Sequence, residues 1–129
     1  MADPLILVAE DERDIRELVV ITLELNGYNV VDVPNGEEAV KKALEVNPAL
    51  ILMDVRMPIM TGYEACEALK TNEKTKDIPV VFLSAKGQEA EVNVGFELGA
   101  EDYFLKPFAP DELCDKVNKI LAKYGKLES

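Results

Sequence analysis

The sequence predicts an α/β fold built around a mostly parallel sheet. Short apolar runs alternate with amphipathic stretches of helical spacing, and the connections between them are short. Four of the runs, at residues 5–9, 50–53, 80–83 and 103–105, end abruptly in polar and mostly ionisable residues. If these runs are parallel strands joined by right-handed crossovers, their carboxyl ends share one edge of the sheet. Glu10, Asp11, Asp54, Ser84 and Lys106 then converge there.

The elements follow in order. After the first strand, Ile15, Leu18, Val19, Thr22 and Leu23 recur at the i, i+3, i+4, i+7, i+8 positions of an amphipathic helix over residues 12–25, which Asn26 and Gly27 stop. Residues 28–33 read as a second strand, closed by Pro34, Asn35 and Gly36. A second helix turns Ala39, Val40, Ala43 and Leu44 inward and ends before Pro48. Residues 50–53 are apolar throughout rather than alternating, as in a strand covered on both faces. Pro58 and Gly62 bracket a loop, a third helix spans about 63–70, and Ile78 and Pro79 lead into the strand at 80–83. Between 91 and 99 the pattern is mixed: Val92, Val94, Phe96 and Leu98 alternate like a strand, and Gly95 weakens a helix by about 1 kcal/mol. Parallel strands on either side require a crossover, so a helix is predicted. Leu113, Val117, Ile120, Leu121 and Tyr124 form the stripe of the last helix.

A chain of 129 residues fits one domain, assigned here to 1–129 with its core at about 4–124. Cys66 and Cys114 lack metal-ligand spacing and read as buried thiols in a reduced compartment. No apolar run approaches a membrane span or the core of a signal peptide, so a cytoplasmic protein without membrane attachment is expected. Lys and Arg number 14 against 25 Asp and Glu, a formal charge of −11 with no histidine. Direct contact with nucleic acid is not expected of such a chain, because that affinity comes from basic side chains on phosphates. The lack of histidine excludes a Ser-His-Asp triad, a histidine phosphocarrier and His-ligated zinc. Lys116, Lys119, Lys123 and Lys126 read as a solvated helix face with favourable charges in the last turns.

The converging edge has its own chemistry. Two carboxylates about 4 Å apart repel by roughly 4 kcal/mol at an effective dielectric near 20, so Glu10, Asp11 and Asp54 together call for a cation. With oxygen ligands only, the fitting ion is Mg²⁺ or Mn²⁺, which keeps open positions that phosphate oxygens can occupy. Lys106 and Ser84 bring an ammonium and a hydroxyl suited to a phosphoryl group. Asp54, alone after its strand, is the best nucleophile candidate, and the adjacent Glu10 and Asp11 are better placed to share the metal. Singly, each residue has an ordinary alternative: acidic residues at a helix start, a capping serine, a surface lysine, a turn aspartate. Their joint occurrence at four strand ends favours a site.

Four motifs stand in this order: Ile6-Leu7-Val8-Ala9-Glu10-Asp11-Glu12; Asp54-Val55-Arg56-Met57-Pro58 with Gly62 after it; Phe82-Leu83-Ser84-Ala85; and Gly99-Ala100-Glu101-Asp102-Tyr103 running to Lys106-Pro107-Phe108. In them the chain resembles a response-regulator receiver domain of two-component signalling, over essentially its whole length. The resemblance implies a flavodoxin-like, doubly wound sheet of five parallel strands in the order 2-1-3-4-5, with five helices. It implies that Asp54 accepts a phosphoryl group from a phosphohistidine of a sensor histidine kinase or histidine phosphotransfer protein. Asp11, Asp54 and the backbone carbonyl of Arg56 would ligate Mg²⁺, Glu10 would act largely through water, and Ser84 and Lys106 would contact the phosphoryl oxygens. Ser84 and Tyr103 would form the switch.

The fourth helix, fifth strand and fifth helix, at residues 88–98, 102–105 and 110–124, would present the result to a downstream effector protein or an effector domain of the same polypeptide, with an activation-dependent homodimer as another outcome. The weak helical pattern around Gly95 suits a two-state element. Glu10 stands where aspartate is commoner and Ser84 where threonine is frequent; both keep the chemistry. Arg56 and Lys86, two residues beyond Asp54 and Ser84, are expected to overhang the site and tune the lifetime of the phosphoryl group. The resemblance implies a signalling switch domain that assists its own phosphorylation and dephosphorylation, rather than an enzyme. A pseudo-receiver that binds partners without phosphorylation is the first alternative. A phosphohydrolase with an aspartate nucleophile is the second, and it would normally carry an acidic residue where Arg56 stands. Few residues follow the last helix, so the chain reads as a stand-alone receiver or a piece of a longer regulator.

Overall fold

Strands that are apolar on both faces need a layer of helices on each side. The computed structural model describes residues 4–85, 89–106 and 109–125, with the backbone alone at 85, 89–92 and 106, and it supplies both layers. The elements are β1 (Leu5–Ala9), α1 (Arg13–Leu25), β2 (Asn29–Val33), α2 (Gly36–Val46), β3 (Leu50–Asp54), α3 (Gly62–Lys70), β4 (Val80–Ala85), α4 (Glu89–Glu97), β5 (Asp102–Lys106) and α5 (Pro110–Lys123). All neighbouring strands pair in parallel, in the order β2-β1-β3-β4-β5. The expected architecture is therefore present, including a helix at 89–97.

Period-2 alternation divides the core in two. Leu7, Ala9, Ile51, Met53, Val80 and Phe82 face α2 and α3, where Ala39, Ala43, Ala65, Cys66 and Leu69 meet them. Ile6, Val8, Leu50, Leu52, Val81 and Leu83 face α1 and α5, against Val19, Leu23, Leu113, Val117 and Leu121. Each large aliphatic side chain so buried contributes about 1.5–3 kcal/mol. The central strand β3 is buried along its whole length, as its unbroken apolar run requires.

Several expectations need correction. Leu18 is 51% exposed and Leu44 43% exposed, although helical spacing predicts both to face inward. Each lies one residue, about 100°, around its helix from a buried centre at Val19 or Ala43. Tyr124 is also exposed, for a reason given below. The mixed pattern at 91–99 is helical because of packing: a Cβ on Gly95 would lie 2.6 Å from Phe82 Cδ2, so a glycine there lets α4 seat directly on the ring. Strand β4 runs to Ala85, which places Ser84 inside the strand rather than after it. Strand β2 starts at Asn29, one residue later than expected, and α3 starts at Gly62, one residue earlier.

The C-terminal lysines are not simply a solvated face. Lys116 Nζ donates to the Tyr103 carbonyl at 2.9 Å and pairs with Asp102 at 3.5 Å, while Lys123 Nζ pairs with Glu101 at 2.8 Å. Lys126 lies outside the described residues. The Tyr124 hydroxyl donates to the other oxygen of Glu101 at 2.5 Å, which holds its ring at the surface. Both cysteines are buried free thiols, and burial pushes Cys66 up to about 11. Among the described residues no helix is long and apolar enough to cross a membrane.

The Glu101 staple is pH-linked. Its hydrogen bond to Glu101, with some burial, pushes the Tyr124 phenol from 10.0 up to about 12. A folded-state value above the unfolded one means the stabilisation is full below the unfolded value and is lost as pH rises through the folded one. Urea unfolding should therefore find wild type more stable than Tyr124→Phe at neutral pH, with the gap closing between pH 10 and about 12. A gap that is constant with pH would refute the linkage.

Candidate functional site

Parallel registry sets the site. Ala9 lies opposite Met53, Asp54 opposite Leu83 and Ala85 opposite Lys106, so four strands reach the same edge together. Glu10 and Asp11, the next residues after β1, come to rest beside Asp54. One carboxylate oxygen from each of the three lies within 4.8 Å of the other two. Glu10 is fully buried and Asp54 is 6% exposed, whereas Asp11 is exposed, so the cluster opens to solvent through Asp11. At such separations each fully ionised pair repels by about 3–4 kcal/mol at an effective dielectric near 20. Three oxygen donors, two of them buried and one wet, suit a hard divalent cation that retains water. The cluster could hold a metal ion.

The loop after β3 braces Asp54. Val55 N–H donates to the Leu83 carbonyl at 3.3 Å, and Gly62 N–H donates to the Val55 carbonyl at 2.9 Å. Val55 and Met57 are buried, and the Arg56 side chain between them is exposed. Met60 N–H donates to the Pro58 carbonyl at 2.7 Å, closing a three-residue turn around Ile59, whose φ is 71°. For a β-branched residue this conformation costs about 1–3 kcal/mol, and it sits five residues after Asp54, the end of β3. A capping box then starts α3: Thr61 Oγ1 accepts from Glu64 N–H, and the Glu64 carboxylate accepts from Thr61 N–H. The Thr-x-x-Glu spacing is visible in the sequence and could have placed this helix start.

The remaining candidates are distributed along β4 and β5. Ser84 is buried, and Phe82, two residues before it, pairs with Tyr103 on the same face. Tyr103 meets Phe96 of α4 edge-on at 5.9 Å between centroids, and Lys116 Nζ of α5 lies 5.4 Å from its centroid. The tyrosine ring is thus held between two helices on the face that carries Ser84. Lys106 ends β5 opposite Ala85, and its side chain lies outside the description; Lys86 lies outside the described residues altogether. The structure brings Glu10, Asp11 and Asp54 together, with Ser84 on the neighbouring strand. Arg16, whose guanidinium bonds the Glu10 carbonyl, was not singled out in the sequence; its partner Asp32 is too distant in the chain to be linked by local spacing.

The fold and the site define a doubly wound α/β domain with an acidic cluster at the carboxyl edge of its sheet. The family model for the response regulator receiver domain matches residues 6–118, and the chain belongs to that family. The phosphate regulon transcriptional regulatory protein PhoB of Pseudomonas aeruginosa is 38% identical over 125 residues, covering 97% of this chain and 55% of that protein. The chain thus spans about half the length of the curated relatives it matches. Among solved structures, the chemotaxis response regulator CheY4 of Vibrio cholerae has a TM-score of 0.86 at 31% identity, covering 92% of this chain and 99% of that one. The receiver domain of the sensor histidine kinase PA1611 from Pseudomonas aeruginosa has a TM-score of 0.87 at 29% identity, covering 94% and 99%. That domain carries a magnesium ion coordinated in its active site cleft.

Gly62 gives a direct test of how the loop is held. A Cβ there would lie 2.2 Å from the Asp54 carbonyl oxygen and 3.0 Å from Val55 Cα, both backbone atoms that cannot rotate away. Gly62→Ala is expected to destabilise the fold by about 1–3 kcal/mol or more, as overpacking does. Chemical denaturation checks this, and an unchanged midpoint would show that the loop yields.

Proposed function

We propose that the chain is a phosphoacceptor receiver of a two-component phosphorelay. The observation that carries this reading is the meeting of Glu10, Asp11 and Asp54 within 4.8 Å, two of them buried, at the carboxyl edge of the sheet. The Asp54 carboxylate attacks the phosphorus of a phosphohistidine on a sensor histidine kinase or histidine phosphotransfer protein. The P–N bond breaks, the imidazole leaves with the bonding pair, and Asp54 becomes an acyl phosphate. Asp11, Asp54 and the backbone carbonyl of Arg56 would hold Mg²⁺ or Mn²⁺, with Glu10 acting through water. When bound, the ion supplies neutralisation of charge on the transferring oxygens. Lys106 adds a positive charge and Ser84 a hydroxyl to the same oxygens.

The new charge becomes a signal by drawing Ser84 inward, which vacates space for the Tyr103 ring on the same face. Tyr103 lies between Phe96 and Lys116, so its rotation changes the surface of α4, β5 and α5. That surface binds a downstream effector protein, an effector domain of the same polypeptide, or a second activated copy. The formal charge of −11 argues against direct contact with nucleic acid, and the reading places the protein in the cytoplasm, off the membrane, as one receiver unit over 1–129. Membership of the receiver family and the magnesium-bearing PA1611 relative support this reading.

Intact mass and melting temperature, measured with Mg²⁺ and a small phosphodonor or beryllofluoride, test it. Wild type should gain the mass of one phosphoryl group and Asp54→Asn should not. Mg²⁺ should stabilise wild type by about 2.7 kcal/mol at a hundredfold excess over its dissociation constant. Absence of both effects would favour a receiver that works without phosphorylation. Arg56→Ala and Lys86→Ala are expected to change the dephosphorylation rate severalfold, by altering access for water; unchanged rates would remove them from the site.

A further inference from the structure

Arg16 reaches the main chain that carries the first two carboxylates of the cluster. It lies one turn into α1, where its N–H donates to the Glu12 carbonyl at 2.9 Å. Its Nη1 donates to the Glu10 carbonyl at 2.8 Å, and its Nε pairs with Asp32 Oδ2 on β2 at 3.0 Å. The side chain is 19% exposed. On the other side of the residue, the Glu10 N–H donates to the Val33 carbonyl at 3.1 Å, one residue past the end of β1. The main chain of Glu10 is thus held through the peptide groups on both of its sides, and one guanidinium links the ends of β1 and β2 to the first turn of α1. The carbonyl that it holds joins Glu10 to Asp11, the two residues that must both present carboxylates to Asp54.

We infer that Arg16, oriented by Asp32, is a positioning residue for the cation site: it fixes the turn between β1 and α1 so that Glu10 and Asp11 are aligned before the cation arrives. This rests on the reading of the cluster as an Mg²⁺ site. Charge alone would work the other way, since a guanidinium this close repels a divalent cation and its removal should tighten binding. The geometry needs the planar fork, because two bonds leave the same group in different directions; a lysine ammonium keeps the charge but not the fork. A salt bridge that served only to anchor α1 would affect melting, not the cation affinity of the folded protein.

The test is the Mg²⁺ dissociation constant of the whole chain by calorimetry, with the Mg²⁺-free melting temperature measured alongside. Arg16→Ala and Arg16→Lys are each expected to weaken Mg²⁺ binding by about tenfold, the lower end of what outer-shell partners of metal ligands contribute. Asp32→Asn is expected to weaken it less, with the guanidinium left in place but no longer oriented. Unchanged or tighter binding in Arg16→Ala, or wild-type affinity in Arg16→Lys, overturns the inference. Should Arg16→Ala fail to fold, Arg16→Lys and Asp32→Asn carry the same comparison. If wild type itself binds no Mg²⁺, the phosphoacceptor reading falls and this inference with it. If wild type binds and the Arg16 variants match it, only the positioning role falls.

Discussion

Parallel pairing of β1, β3, β4 and β5 is the constraint on which the molecule depends. In an antiparallel sheet the polar ends of neighbouring strands would be split between two edges, and Asp54 would not meet Glu10 and Asp11. Because every strand runs the same way, each apolar run ends at the same edge, and Glu10, Asp11 and Asp54 are forced into a cluster that opposes its own assembly. The burial of β3 and its neighbours offsets that repulsion. A site of like charges is held together by a core that contributes nothing to its chemistry.

The same layering explains which parts of the molecule could be read from the sequence. Strand ends are sharp transitions from apolar to ionisable residues, so Asp54 and the Glu10-Asp11 pair were visible as candidates and do come together. The unbroken apolar run of β3 made it legible that this strand is covered on both faces. Positions at the border of a helical stripe were not: Leu18 and Leu44 have the hydropathy of core residues but sit a step around from the buried centre. The helix α4 was legible only by topology, since its alternating residues argue for a strand and the ring of Phe82 beneath Gly95 is a tertiary fact. Partners far apart in the chain were invisible for the same reason. Arg16 with Asp32, Lys116 with Tyr103, and Tyr124 with Glu101 all depend on crossovers that bring remote residues together.

Local strain and local order meet in the loop after β3. Ile59 occupies a backbone conformation that few β-branched residues adopt, and it is followed within two residues by the capping box of α3. Gly62, pressed against the Asp54 carbonyl, joins the two. The main chain of Asp54 therefore has little freedom, and what remains adjustable near the site is the set of side chains on β4 and β5.

The two helices beside β5 are attached in different ways. α5 is pinned at Lys116 and again at Lys123 and Tyr124, two turns apart, by bonds to Tyr103 near the start of β5 and to Glu101 just before it. α4 comes close to the Cδ2–Cε2 edge of the Phe82 ring at Gly95, a residue with no side chain to stand between them. In mechanical terms α5 is bolted to β5 at two points, whereas α4 meets the sheet by ring contacts, Phe96 on Tyr103 and the Gly95 backbone on Phe82.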